Sequence, residues 1–232
     1  RFYRGFNNLR HSPVAREGAG VAAFMVFAGI HILLVLAQAS WLVAELPLLA
    51  KFAPLLAIGG RVCGVVALVG ASVGLYYMYR CYRIRARPFW DHKQTGFSFL
   101  GCSIYLGSIC LAGLGSMTLL VSGDSMLPLL TTCSVIMGVG LAIEGAGLIL
   151  HARDMSVAES EGAVSHYVQK TTFGKTWFVR NTALAVIAVA LLCAPLYLRE
   201  APALWPLFAV AALLIAIVGR ALFYVLVIPT TM

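Results

Sequence analysis

Six long apolar stretches constrain the fold of this chain more than any other feature of its sequence. They lie near residues 18–44, 54–79, 96–121, 126–150, 176–198 and 203–228. A helix needs roughly 20 apolar residues to cross a hydrocarbon core about 30 Å thick, and each stretch is long enough. Hydrophobic residues make up 61% of the chain and charged residues 11%, which excludes an ordinary soluble domain. The sequence therefore predicts an all-α integral membrane protein, a bundle of six transmembrane helices forming a single transmembrane domain over residues 1–232.

The charges and cysteines exclude several other classes of protein. The net charge is +8, but the cations lie between the apolar stretches, so they do not indicate nucleic-acid binding. The six cysteines have no CxxC spacing, and most fall inside apolar stretches. We interpret them as small packing residues rather than as disulfides or ligands of zinc or iron–sulfur clusters.

A basic and aromatic segment, residues 76–95, separates the second apolar stretch from the third. Its cations are Arg80, Arg83, Arg85, Arg87 and Lys93, and its aromatic residues include Tyr79, Tyr82, Phe89 and Trp90. This composition is typical of a membrane–water boundary, where rings lie at headgroup depth and cations reach water. The segment is either an ordinary cytoplasmic loop or, in the sharper interpretation, a docking surface at the mouth of a quinone site.

The positive-inside rule gives an orientation. Most Lys and Arg residues flank one side of the predicted spans, whereas the short loops of the other side carry Lys51 and Arg199. We therefore expect both chain ends and the basic loops to be cytoplasmic. A surface that docks an acidic partner would also be basic, so this charge bias has two possible causes.

Ionisable residues inside the apolar stretches are the main candidates for function. Such groups are costly in lipid and usually face the protein interior or a wet cavity. From the helical rise we expect Glu144 roughly 10 Å and Arg220 roughly 12 Å from the cytoplasmic ends of their helices. Arg180 and Glu17 begin spans on that same side, so these four residues are predicted to line one cavity.

That cavity suits a quinol, because each phenolic proton must leave with an electron and needs an acid or base within reach. Arg220 and Tyr224 are four residues apart and share a helix face, and Glu144 and His151 nearly do. The alternative interpretation is structural: Glu144 with Arg220, or Glu17 with Arg80, would form ion pairs that only fix helix packing.

Histidines give a weaker signal. A bis-histidine haem is disfavoured, because His31 falls in mid-span and His151 at a helix end. We expect the loop histidines His11, His92 and His166 to be solvated. No metal site is predicted, so any electron relay must come from a partner.

Three segments resemble the membrane-anchor subunit of the dimethyl sulfoxide reductase family. They are RGFNNLRHSPVAREG at 4–18, MYRCYRIRARPFWDHKQTGFSFLGCSIYLG at 78–107 and VGRALFY at 218–224. The resemblance runs along nearly the whole chain, and the segments follow the family's order. It implies an anchor of about eight helices, so the family's first two helices, with a histidine associated with quinol oxidation, are expected to be missing here.

The resemblance implies partners and cofactors as well. The partners would be an iron–sulfur subunit with four clusters and a molybdopterin catalytic subunit, in the cytoplasmic membrane of a bacterium or archaeon. The chain itself would bind menaquinone or ubiquinone and carry no haem or metal, as in anaerobic respiration. An inward-facing, sulfite-oxidising relative is equally compatible with the predicted orientation.

Candidate residues follow from the two lines of reasoning together. The family's important glutamate falls on Glu17, and its G-R-x-x-F-Y block falls on Gly219, Arg220, Phe223 and Tyr224. The predicted acid/base residues are Glu17 and Glu144, and the predicted quinone-binding residues are Arg80, Arg220, Tyr224 and His11. The predicted docking residues for the iron–sulfur subunit are Arg83, Arg85, Arg87, Trp90 and His92.

Two rival functions remain. One is a secondary transporter, which is disfavoured because the glycines show no two-fold pattern. The other is a structural anchor without quinone.

Overall fold

A computed structural model describes residues 8–85, 87–157 and 161–225 of the chain. Within those residues the regular structure is helical and contains no strand. The helices are α1 (Pro13–Leu36), α2 (Ser40–Glu45), α3 (Leu48–Tyr82), α4 (Lys93–Ser122), α5 (Leu127–Val157), α6 (Glu161–Thr171), α7 (Gly174–Leu192), α8 (Ala194–Tyr197) and α9 (Leu204–Val225). Six of them, α1, α3, α4, α5, α7 and α9, are long and apolar enough to cross a membrane. The predicted all-α membrane fold with six spans is confirmed.

Several helix bounds differ from the predicted stretches. The stretch 18–44 is divided, because α1 ends at Leu36 and α2 starts a new helix. Helix α5 continues past residue 150 to Val157. Helix α6 was not predicted, because its sequence is too polar to give an apolar stretch.

Local chemistry explains where two of these helices begin. Ser12 caps α1, where its Oγ accepts a hydrogen bond from the Ala15 backbone N–H at 3.3 Å, and Pro13 takes the first helical position. His92 caps α4, where its Nδ1 accepts from the Gln94 backbone N–H at 3.0 Å. The His92 cap thus fixes where the basic segment ends and the membrane-spanning helix α4 begins.

The chain divides into two compact units, with the division between Tyr82 and Arg83. In the first unit, α1 packs closely on α3 through glycines. A Cβ atom added to Gly20 would lie 2.5 Å from the Gly74 backbone nitrogen, and one added to Gly70 would lie 2.8 Å from that of Phe24. The Gly70/Gly74 pair thus allows the close helix approach that its spacing predicts. In the same unit the His31 Nδ1 lies 2.7 Å from the Gly60 carbonyl oxygen, which gives this mid-span imidazole a backbone partner.

The second unit is built on an equally close crossing of α4 and α5. A Cβ atom on Gly101 would lie 2.5 Å from the Gly140 carbonyl oxygen and 2.9 Å from the Glu144 backbone nitrogen. Fully buried side chains on α4, α5 and α7, including Tyr105 and Met137, form the core beside this crossing. The small residues therefore decide which side chains of α5 face α4, and Glu144 is one of them.

We expect the substitution Gly101→Ala to destabilise the α4–α5 pair by about 1–3 kcal/mol, the usual cost of overpacking a tight contact. Thermal unfolding of the detergent-solubilised protein measures this effect. Gly107→Ala on the same helix is the matched control, because a Cβ atom there meets nothing within 4 Å. Equal melting temperatures for the two variants would contradict the close crossing.

Candidate functional site

A buried ion pair lies in the middle of the second unit. Glu144, on α5, is only 4% exposed. Its Oε1 accepts a hydrogen bond from Arg180 Nη2 at 2.5 Å, and its Oε2 accepts one from the Tyr105 hydroxyl at 3.1 Å. The carboxyl group is thus held by donors from two other helices, α7 and α4.

Glycine on α9 makes room for the arginine of this pair. A Cβ atom on Gly219 would lie 2.5 Å from Arg180 Nη2 and 3.1 Å from its Nε. The guanidinium also donates from Nη1 to the Asn181 Oδ1 at 2.8 Å. Gly219 is part of the block VGRALFY, so the structure gives that glycine a physical role: it lets Arg180 reach Glu144.

The ion pair differs from the one considered in the structural interpretation of the sequence. Glu144 pairs with Arg180, whereas Arg220 lies with its Cζ 4.3 Å from the centre of the Phe99 ring. Successive helical residues point about 100° apart, so when Gly219 faces Arg180 its neighbour Arg220 must point elsewhere. The predicted Glu144–Arg220 pair is therefore wrong, although both residues line the same cavity.

That cavity is small. Its volume is about 20 Å³, and its polar lining residues are Gln94, Ser98, Tyr105, Glu144, Gln169, Arg180 and Arg220. Space of this size holds about one water molecule, which is far less than an aromatic ring needs. The arrangement can exchange protons through water, but it does not hold a quinone ring as it stands.

Glu17 belongs to the first unit, on α1. Its Oε2 accepts a hydrogen bond from the Cys81 Sγ at 3.4 Å. In the described part of the chain Glu17 and Arg80 do not form an ion pair, so that predicted pairing is also wrong. Its neighbour Arg16 donates to the Tyr77 hydroxyl at 3.0 Å, which ties the start of α1 to the end of α3. A pocket shared by Glu17 with residues of the second unit stays a prediction.

His11 lies exposed before α1, in agreement with the expectation that this loop histidine is solvated. The structure gives it no role, and its assignment to quinone binding stays a prediction.

Several of the predicted docking residues have internal partners. Trp90 donates from Nε1 to the Phe223 carbonyl oxygen at 3.1 Å and stacks on the Phe223 ring at 5.5 Å. The Arg87 guanidinium lies 5.0 Å from the centre of the Trp90 ring, and Tyr224 packs edge-on against that ring at 6.2 Å. Arg83 forms an ion pair with Asp91. These contacts hold residues 87–91 of the basic segment against the end of α9, and Arg85 is exposed.

Three histidines, His92, His151 and His166, lie close together near the start of α4 and the end of α5. We call them the histidine cluster. The ring centres of His92 and His151 are 5.0 Å apart, and those of His151 and His166 are 5.7 Å apart. His92 Nε2 contacts the Asp154 Oδ2 at 2.9 Å, and Phe89 packs edge-on against His151 at 4.7 Å. In the described residues no group of three or more His, Cys, Asp or Glu side chains is arranged to hold a metal ion.

The histidine cluster corrects one expectation. His166 is 4% exposed and the His92 side chain 10% exposed, so neither is a solvated loop residue. His166 is buried because α6, which was not predicted, packs against α5 and α7. His92 is half-buried against His151 and Asp154 of α5. The signal available in the sequence was positional, since all three histidines lie near helix ends on one predicted side of the membrane.

We expect Arg180→Met to destabilise the protein by about 3–5 kcal/mol, because it leaves the Glu144 carboxylate buried without its cation. The double variant Glu144→Gln/Arg180→Met should recover much of that loss, since no charge then remains in the core. Thermal unfolding of the three proteins measures the difference. A double variant as unstable as Arg180→Met alone would show that the pair is not what the core depends on.

The pKa of His166 predicts a dependence of stability on pH. Burial lowers the pKa of His166, the nearby Lys170 charge lowers it further, and the Gln169 side chain opposes both. Below the ordinary histidine pKa of about 6.5, this residue binds more protons in the unfolded chain than in the folded chain. The stability of the fold should therefore fall as the pH drops below that value. The difference in melting temperature between pH 7.5 and pH 5.5 should shrink in His166→Gln. It should stay unchanged in His11→Gln, the exposed control, and an unchanged difference in His166→Gln would refute the prediction.

Comparison with known proteins identifies the family. The chain matches, over residues 1–226, the sequence model of the family described as DMSO reductase anchor subunit (DmsC). No curated protein and no solved structure gave a match. The match confirms the resemblance found in the sequence blocks. With its six candidate spans, the chain is a multi-pass membrane protein that belongs to the DMSO reductase anchor subunit (DmsC) family, whose members anchor the catalytic and iron–sulfur subunits of a DMSO reductase complex.

Proposed function

We propose that this anchor binds a quinol or quinone and exchanges its electrons with the iron–sulfur subunit. The observation that carries the proposal is the buried Glu144 carboxyl group, which Arg180 and Tyr105 hold inside a membrane span. Oxidation of a quinol releases two protons with two electrons, so the site needs an acid/base group that lipid alone does not supply. Family membership supports the electron partner, and the buried carboxyl group supports the proton chemistry.

The proton and the ring occupy different places in this proposal. The cavity beside Glu144 takes about one water molecule, so Glu144 receives protons through water rather than by touching the ring. Glu17 is the acid/base group at the headgroup, with Arg80, Arg220, Tyr224 and His11 as the headgroup residues. Tyr224 suits this role because it is half exposed at the end of α9 and can donate a hydrogen bond to a carbonyl oxygen.

The basic segment is the docking surface for the iron–sulfur subunit. Arg85 is exposed, and Arg83 is exposed although it also pairs with Asp91, whereas Arg87, Trp90 and His92 hold the segment in place through their internal contacts. Exposed arginines suit an acidic surface on a partner, because guanidinium groups form paired hydrogen bonds with carboxylates. In the proposed complex the segment faces the cytoplasm from the inner membrane. The partner carries four clusters and passes electrons between them and a molybdopterin subunit, as in a DMSO reductase or an inward-facing sulfite-oxidising relative.

Quinol turnover by the complete complex tests the proposal. We expect Glu17→Gln to assemble normally and to slow quinol oxidation by about 10²-fold or more, the usual contribution of a positioned acid or base. Glu144→Gln should lower stability, because it leaves the Arg180 guanidinium buried without its carboxylate, and should slow quinol oxidation as strongly in the complex that assembles. Glu200→Gln is the matched control, because Glu200 is exposed near the start of α9. Turnover like that of the control in both variants would reduce the chain to a structural anchor. Proton-coupled solute uptake into liposomes, without quinol turnover, would instead favour a transporter.

A further inference from the structure

We propose that a hydrated proton path leads from Glu144 through the polar side of its cavity to the histidine cluster and leaves the protein at Asp154. This inference rests on the proposed quinol chemistry and adds the route by which its protons reach water. It uses buried groups that neither the ion pair nor the family assignment explains.

The inner part of the path is the cavity beside Glu144. Gln94, Ser98 and Gln169 line it together with the ion pair, and each is at most 8% exposed. Gln94 donates from Nε2 to the Ser98 Oγ at 3.1 Å, which leaves its buried Oε1 without a protein partner. A buried amide oxygen is rarely left unsatisfied, so a water molecule in the cavity is its natural partner.

The outer part begins at His151. Glu144 and His151 are seven residues apart on α5, which places them on the same face and roughly 10 Å apart along the helix axis. His151 is 3% exposed, and neither of its ring nitrogens has a protein partner. A purely structural histidine would be expected to bond a carbonyl or hydroxyl group, as His31 does. An imidazole can accept a proton on one nitrogen and release one from the other, so His151 is suited to relay protons.

The helix arrangement connects these two parts. Gln169 lines the cavity and lies three residues after His166 on α6, so both share one helix face. Gln94 lies two residues after His92, and its backbone N–H donates to the His92 Nδ1. Two of the cavity residues, Gln94 and Gln169, are therefore each within three residues of a member of the histidine cluster along the chain.

The exit lies at the His92–Asp154 contact. The Asp154 side chain is 55% exposed, and His92 Nε2 lies 2.9 Å from its Oδ2. The other charged groups that act on this cluster and its exit are Lys93 on α4, Arg153 on α5 and Lys170 on α6. Lys93 and Arg153 act on Asp154 and keep its carboxylate ionised, whereas Lys170 disfavours a resident proton on His166, which suits a group that passes protons on rather than stores them.

The variant His151→Phe in the assembled complex tests the path, because it keeps a ring of similar size and removes both nitrogens. We expect quinol turnover to fall at least about 10-fold, with a larger solvent deuterium isotope effect and an unchanged affinity for added quinone. Tyr167→Phe on the exposed face of α6 is the control for loss of a titratable group at this end. If His151→Phe does not fold, Gln94→Met at the inner part of the path takes its place with the same expected results.

The outcomes separate the path from the function it serves. Wild-type turnover and isotope effect in a folded His151→Phe or Gln94→Met complex would overturn the path while leaving quinone binding intact. Loss of quinone affinity in step with turnover would assign these residues to packing and would also overturn it. A wild-type complex that binds no quinone would overturn the proposed function, and the path with it.

Discussion

The second unit depends on the buried ion pair between Glu144 and Arg180, for which Gly219 leaves the necessary space. A carboxylate and a guanidinium lose several kcal/mol of hydration when they leave water, and attraction restores this only if the geometry is close and the remaining donors and acceptors are satisfied. Both oxygens of Glu144 are satisfied, by Arg180 and by Tyr105, and of the Arg180 donors only Nε is left without a hydrogen-bond partner in the described structure. Gly219 supplies the space for the guanidinium, and the crossing at Gly101 places Glu144 beside Tyr105. Three helices are thus held in one rotational setting by a single carboxyl group.

A second set of contacts holds together the helix ends near the basic segment. Helix α5 extends to Val157, and α6 packs against it, which buries His151 and His166 beneath the basic segment. Trp90 fastens that segment to the end of α9 through Phe223. Aromatic and imidazole rings therefore fill the space between the helix ends, while Arg83 and Arg85 remain exposed. The polar residues of the cavity and the histidine cluster lie on the inner side of this layer, within one compact unit.

Length and hydropathy were sufficient to predict the six spans, because the bilayer thickness fixes how long an apolar helix must be. The cost of burial also singled out Glu144, Arg180 and Arg220 as residues of one cavity. The pairing within that cavity was not predictable, because it depends on helix rotation, which the close contact at Gly219 decides. The burial of His166 was missed for a different reason: α6 is a short polar helix without an apolar stretch, and only its packing against longer helices reveals its inner face.

Cavity size separates two tasks that the sequence had placed together. A quinone ring needs a surface that can open to lipid, whereas a proton needs only water and a chain of acceptors. The space at Glu144 fits about one water molecule, which is too small for a ring. In the proposed function the buried carboxyl group therefore acts on the proton after it has left the ring. The proposed function therefore places the ring near exposed aromatic and basic side chains, such as Tyr224, where a headgroup can enter without breaking the ion pair on which the core depends.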